Sequence, residues 1–217
     1  MIFTESRVNY GILCDQKLDS AKESDKKQKL LLHACCAPCS SSVLEYLDGF
    51  FDITLFFYNP NISSKEEYDK RLNELKRLIS EMELKSKPSV IDAIYDPERF
   101  YSVSKGLEQE KERGKRCAEC YYLRLDKTAE YAKNNGFDLF CTTLSVSPHK
   151  DAFLINETGK KLEEKYGIEW LFSDFKKKDG YKRSIELSKK YSLYRQNFCG
   201  CVFSQNLQNK TTEDDQK

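Results

Sequence analysis

The sequence predicts an α/β fold, a mainly parallel sheet flanked by helices. Three observations lead there. Apolar runs of strand length alternate along the chain with stretches of helical spacing, which is the pattern of a parallel sheet with crossover helices. The first run, Leu30 to Leu32, has no polar alternation, as expected of a strand covered on both faces. It is followed at once by Cys35, Cys36, Pro38 and Cys39. Thiols therefore stand at the carboxyl end of a strand, where open α/β sheets bind their ligands.

The elements follow in order. Residues 1–28 read as a polar, weakly patterned extension, with SAKESDKKQ a solvated lead-in and Cys14 incidental. After the first strand, Pro38 suits a helix start, and Val43, Leu44 and Leu47 give that helix an apolar face. Asp52 to Tyr58 is the second strand, ended by Asn59-Pro60-Asn61. Ser64 to Glu67 is a capping box, opening a helix with Tyr68, Leu72, Leu75, Ile79 and Met82 at helical spacing. Val90 to Tyr95 is the third strand, and Asp96-Pro97 starts a further helix that runs into a charged segment.

Cys117 to Asn134 is a long helix with an apolar stripe of Ala118, Tyr122, Leu125, Ala129 and Ala132. Asp138 to Thr142 is the fourth strand, with Cys141 as a small core residue. Ser147 and Pro148 are placed to cap and start the next helix, which Gly167 ends. Ile168 to Phe172 is a fifth strand, and Lys176 to Arg195 a basic helical segment. The domain expectation is a single α/β catalytic domain over residues 29–207, followed by a disordered tail, 208–217.

Composition narrows the function. The net charge is +1, so any site for a polyanion must be local. There is no signal peptide and no apolar run near the ~18 residues that span a bilayer. The expected compartment is the cytosol, where thiols stay reduced. Nine cysteines in 217 residues are then better read as metal ligands or redox groups than as structural bridges. Dinucleotide GxGxxG and Walker sequences are absent.

Three thiol groups stand out: Cys35, Cys36 and Cys39; Cys117 and Cys120; Cys199 and Cys201. Cys117 and Cys120 share a helix face with Arg124 and Lys127, away from the apolar stripe. They also sit at a helix start, where the dipole favours thiolate. Cys36, Cys39, Cys117 and Cys120 would make two C-x-x-C pairs, as in a structural zinc site. Cys35, Cys36, Cys117 and Cys120 would instead hold an iron–sulfur cluster. The gap between the pairs exceeds the ~15–20 residues usual for zinc ribbons. Cys199-Gly200-Cys201 suits either a strained, easily reduced disulfide or further ligation. His33 reads as a buried supporting residue, and His149-Lys150-Asp151 as a helix start able to hold an anion.

HACCAPCS, YNPNI, the RC-x-x-C of Arg116 to Cys120, TTLSVSPHK-D, and DFKKKDGY ending in YRQ-x-FCGC together resemble the QueH-type epoxyqueuosine reductases, from about residue 29 to Ser204. The resemblance implies a Rossmann-like fold of the adenine-nucleotide-hydrolase type, with the metal site at the carboxyl ends of the strands. It implies cobalamin-independent reduction of the epoxide of epoxyqueuosine in tRNA, the last step of queuosine formation. It also implies a [4Fe–4S] cluster on Cys35, Cys36, Cys117 and Cys120, and a redox-active pair at Cys199 and Cys201. An additional iron is implied too, with Cys39 as its candidate ligand.

The expected partners are an electron donor and a tRNA anticodon loop. The loop would be held by Lys176, Lys177, Lys178, Lys182, Arg183, Lys189, Lys190 and Arg195. Asp151 or Tyr194 is the expected proton donor. Two rival readings remain at this stage. A zinc-stabilised nucleic-acid module would be colourless, and a thiol–disulfide oxidoreductase working through Cys199 and Cys201 would need no iron.

Overall fold

A computed structural model describes residues 8–204. The tail expected at 208–217 lies outside them. Five strands form one sheet in the order β3-β2-β1-β4-β5, with every neighbouring pair parallel. The strands are β1 (Lys29–His33), β2 (Asp52–Phe57), β3 (Ser89–Asp92), β4 (Leu139–Thr142) and β5 (Glu169–Trp170). The third and fifth are shorter than the apolar patterns suggested. Leu171 still donates its backbone N–H to the Phe140 carbonyl at 3.0 Å, just past β5.

The consecutive leucines of β1 are divided between two cores. Leu30 and Leu32 join one apolar cluster with Ile53, Leu55 and Leu139. Leu31 joins the other with Phe56 and Phe140. That division is the period of two that strand geometry imposes. Each leucine is fully buried, a contribution of about 1.5–3 kcal/mol apiece. The first cluster is covered by α2 (Ala37–Leu47) and α3 (Lys65–Glu81), and the second by α5 (Lys115–Asn134) and α6 (Ala152–Tyr166). A short α4 (Pro97–Ser104) packs on α5, and α7 (Gly180–Lys190) packs on α2.

The N-terminal region differs from the expected lead-in. Tyr10–Lys22 forms a helix, α1, whose Tyr10, Cys14 and Leu18 are buried. Asn9 caps it, accepting from the backbone N–H groups of Gly11 and Ile12. The stripe holds only one residue per turn, and one of the three is a cysteine acting as a small hydrophobe. Cys14 is therefore a core residue and not incidental. The lead-in itself, 22–27, is exposed as expected.

Two helix faces also shift. In α5, Tyr121 is buried and Tyr122 is exposed, while Leu125, Ala129 and Ala132 lie in the core as read. Ahead of α6 the chain makes a 3-10 turn over Thr143–Val146, and Asp151 caps the helix instead of Ser147. Among the described residues no helix is long and apolar enough to cross a membrane.

Candidate functional site

β1 lies at the centre of the sheet, with β2 on one side and β4 on the other. The chain leaves β1 for α2 on one face of the sheet, and after β4 it leads to α6 on the other. This is a topological switch point, which opens a crevice at the strand ends. Cys35 and Thr143 face each other across it. The Cys35 backbone N–H donates to Thr143 Oγ1 at 3.3 Å, and that hydroxyl donates to Cys35 Sγ at 3.4 Å.

Cys36 caps α2 in an extended conformation, with Pro38 in the first turn. The Cys35 and Cys36 sulfurs are 3.7 Å apart. Together with Cys39 they form a trio within 4.8 Å of one another. One negative charge is shared among them. Hydrogen bonds from Cys36 and Cys39 hold the Cys35 thiol well below its usual range. Cys36 is pushed up to about 12 by the Cys35 sulfur it donates to, and Cys39 is raised for the same reason.

Cys117 and Cys120 lie in the first turns of α5. Cys117 Sγ accepts the Arg113 backbone N–H at 3.2 Å. Cys120 is buried with Arg124 beside it, and the face they share, off the apolar stripe, is closed over by the C-terminal segment. Cys199 and Cys201 reach that enclosure, which also takes in Cys117, Cys120, Lys150 and Asn61. The C-terminal loop is fixed through its backbone. The Cys199 carbonyl accepts from Asn61 Nδ2 at 3.1 Å and Arg71 Nη1 at 3.3 Å, and the Gly200 carbonyl accepts from the Ser63 N–H at 3.0 Å. A hydrogen bond from Cys201 holds the Cys199 thiol well below its usual range, with Lys150 adding to it. Burial disfavours the Lys150 ammonium, but Cys199, Tyr121 and Glu112 outweigh burial and push its pKa up.

A cavity of about 320 Å³ opens onto this arrangement, with Cys35, Cys36, Cys39, Cys199, Arg124 and Lys150 in its walls. Two of the three thiol groups thus face one space. Cys117 and Cys120 lie behind it, joined to it through Arg124, Lys150 and Cys199. The structure gives Asp151 and Tyr194 other work. The Asp151 carboxylate accepts the Phe153 and Leu154 N–H groups at 3.0 and 3.2 Å. The Tyr194 hydroxyl lies 3.2 Å from the Glu67 carboxylate, with the Lys70 ammonium 3.4 Å from its ring. Neither lines the cavity.

The basic segment is also less free than its composition suggested. Lys176 pairs with Asp174, Lys178 with Asp15, and Arg183 with Glu45 and Glu186. Arg195 and Tyr181 do reach the cavity. Sequence reading gave Asn59, Asn61 and Arg124 no role at the site. The two asparagines read as turn residues. Arg124 was placed on the helix face of Cys117 and Cys120, but its bonds to His33 and Asn59 depend on the fold.

Buried polar atoms left over around the sulfurs test whether these residues suit a sulfur-held metal group. Tyr121 Oη, Arg116 Nε and Asn61 Oδ1 have no hydrogen-bond partner among the described residues, and all three residues border the enclosure of Cys117, Cys120, Cys199 and Cys201. Two of these atoms, Tyr121 Oη and Arg116 Nε, are donors on residues that line that enclosure. Donors of that kind suit the sulfurs of an iron–sulfur group, which accept such bonds. The residues fit.

A parallel α/β sheet with cysteines gathered at its switch point defines a thiol-bearing α/β protein equipped for redox or metal chemistry. A sequence model described as "Epoxyqueuosine reductase QueH" matches residues 30–207. Proteins of that name from Streptococcus pyogenes serotype M1 (41% identity; 93% of this chain, 80% of that protein), Staphylococcus epidermidis (40%; 91% and 85%) and Haemophilus influenzae (42%; 88% and 77%) are similar over most of their length. The chain belongs to the QueH family, whose members are oxidoreductases.

Proposed function

We propose that this enzyme reduces the epoxide of epoxyqueuosine in tRNA to the alkene of queuosine. The observation that carries the reading is the convergence of Cys35, Cys36, Cys39 and Cys199 on one cavity in a chain of this family. The reaction takes two electrons and two protons and releases water. Oxidation of the Cys199 thiolate and the Cys201 thiol to a disulfide supplies both electrons and one proton, solvent supplies the other proton, and an external donor of two electrons restores the pair. The low pKa of Cys199 suits it to begin such an exchange.

Cys35, Cys36, Cys117 and Cys120 would hold a [4Fe–4S] cluster, with Cys39 left for an additional iron. When bound, that group would supply electrons singly and polarise the epoxide oxygen. The chain's own residues orient the substrate and exclude water. The guanidinium of Arg124 and the ammonium of Lys150 present positive charge to the cavity. Arg195 and Tyr181 at the same cavity are placed to meet backbone and base of a splayed loop. Asp151 and Tyr194 were the expected proton donors. With both engaged elsewhere, Asp151→Asn and Tyr194→Phe are expected to keep turnover within about twofold.

Anaerobic purification followed by an optical spectrum and iron and sulfide analysis tests the reading. A brown protein that loses its colour in Cys35→Ser and reduces epoxyqueuosine tRNA is expected. A colourless protein that is fully active would refute it. Charge reversal at Arg195 is expected to weaken tRNA binding and reduce its salt dependence.

A further inference from the structure

Among the described residues Arg124 carries a charge that no carboxylate pairs with. Only 4% of it is exposed. Its Nη2 donates to Asn59 Oδ1 at 2.6 Å, its Nε to His33 Nε2 at 3.3 Å, and its Nη1 lies 4.0 Å from Cys120 Sγ. The amide is neutral. So is the imidazole, whose Nε2 accepts from Arg124. His33 Nδ1 lies 2.8 Å from Thr142 Oγ1 and Nε2 3.1 Å from the Tyr58 carbonyl, and the tautomer protonated at Nδ1 is the one in which Nε2 accepts from Arg124. Arg71 is equally buried but pairs with Glu67 at 2.6 Å. Among the described residues Arg124 has no such pair.

A buried cation without a counter-ion costs several kcal/mol. The guanidinium nevertheless has every polar neighbour turned to receive it. The neighbours able to carry negative charge are sulfurs: Cys120 in contact, and Cys35 in the wall of the same cavity. We infer that Arg124 is the fixed counter-charge of the sulfur-held centre and sets its reduction potential. The inference rests on the reading that Cys35, Cys36, Cys117 and Cys120 hold an iron–sulfur cluster. Adding one electron to such a centre increases its negative charge, so a fixed cation favours the reduced form. The electron comes from the external donor, and Arg124 neither gains nor loses a proton.

The test is a mediated potentiometric titration of the full-length, cluster-loaded protein, with iron and sulfide measured in each sample. In Arg124→Gln the ratio of reduced to oxidised centre at a given potential is expected to fall about tenfold, equivalent to about 59 mV for one electron. Arg124→Lys should stay within about threefold of wild type. The displacement should persist at ~1 M salt, because solvent ions do not screen a buried charge. Asn59→Asp keeps Arg124 in place and gives it a carboxylate, and the same downward displacement is expected. It decides the question if Arg124→Gln fails to fold or load. A loaded Arg124→Gln or Asn59→Asp protein that titrates within threefold of wild type overturns the inference. Wild type that binds no iron overturns the reading of the site itself, which is a different result.

Discussion

Asn59→Leu removes the amide that ties the first strand's exit to the cationic network while keeping its volume. Asn59 is 1% exposed. Its Nδ2 donates to the Ala34 carbonyl at 3.0 Å, and its Oδ1 accepts from Arg124 Nη2 at 2.6 Å. The leucine leaves both partners buried without it. A stranded neutral carbonyl costs about 1–3 kcal/mol, and a lost hydrogen bond to a charged group about 1.5–3 kcal/mol. The expected sum is about 2.5–6 kcal/mol, a large part of the ~5–15 kcal/mol that a domain has in total. Urea unfolding of the metal-free protein, with a slope of roughly 2–3 kcal/mol/M, should show the midpoint lowered by about 1–3 M. A loss below about 1 kcal/mol would refute the reasoning, because it would mean that Arg124 does not depend on this amide.

Three other outcomes are expected. Gly200 has φ +95°, and a Cβ there would lie 3.0 Å from Ile62 Cγ1 and 3.3 Å from Arg71 Nη1; Gly200→Ala should cut turnover about tenfold while costing only ~1–3 kcal/mol of stability, read by tRNA assay beside urea unfolding. A Cβ on Gly159 would sit 2.2 Å from the ring of buried Trp170, which is pinned by its hydrogen bond to Asn156. Gly159→Ala should cost about 1–3 kcal/mol, a fall in Tm of roughly 2–4 °C per kcal/mol. Burial alone would raise the pKa of the Asp48 carboxyl, but hydrogen bonds from Lys85 and Ser86 hold it below the usual range. Its contribution is present above the ordinary carboxylate pKa and is lost as pH falls through the lowered folded value, so the stability gap between wild type and Asp48→Ala should close in acid.

Much of the fold was legible because its signals are local. Leu30 to Leu32 gave a doubly covered strand, and Cys141 behaved as a small core residue. Tyr121 and Tyr122 were confused because adjacent tyrosines differ by only 100° around a helix. Helix α1 was missed because one apolar residue per turn, one of them Cys14, falls below what periodicity can separate from noise. The thiols were visible as a set, whereas their meeting place was not, since that depends on the order of strands. Asn59 and Asn61 carry turn chemistry on their face, and only the bond of Asn59 to Arg124 and that of Asn61 to the Cys199 carbonyl reveal them as supports for the site. The basic segment misled for the converse reason. Asp15 and Glu45, which neutralise part of it, lie more than a hundred residues away.

The contacts of Asn61, Ser63 and Arg71 with residues 199 and 200 have a consequence for biogenesis. The wall that closes the sulfur pocket follows Cys35, Cys36, Cys39 and Cys120 in the chain and so leaves the ribosome after them. Until it docks, Cys35, Cys36, Cys39 and Cys120 stand on a nearly finished sheet without their cover. A newly made molecule therefore passes through an interval in which those thiols meet oxygen or a metal donor first, and growth conditions would determine which of the two arrives.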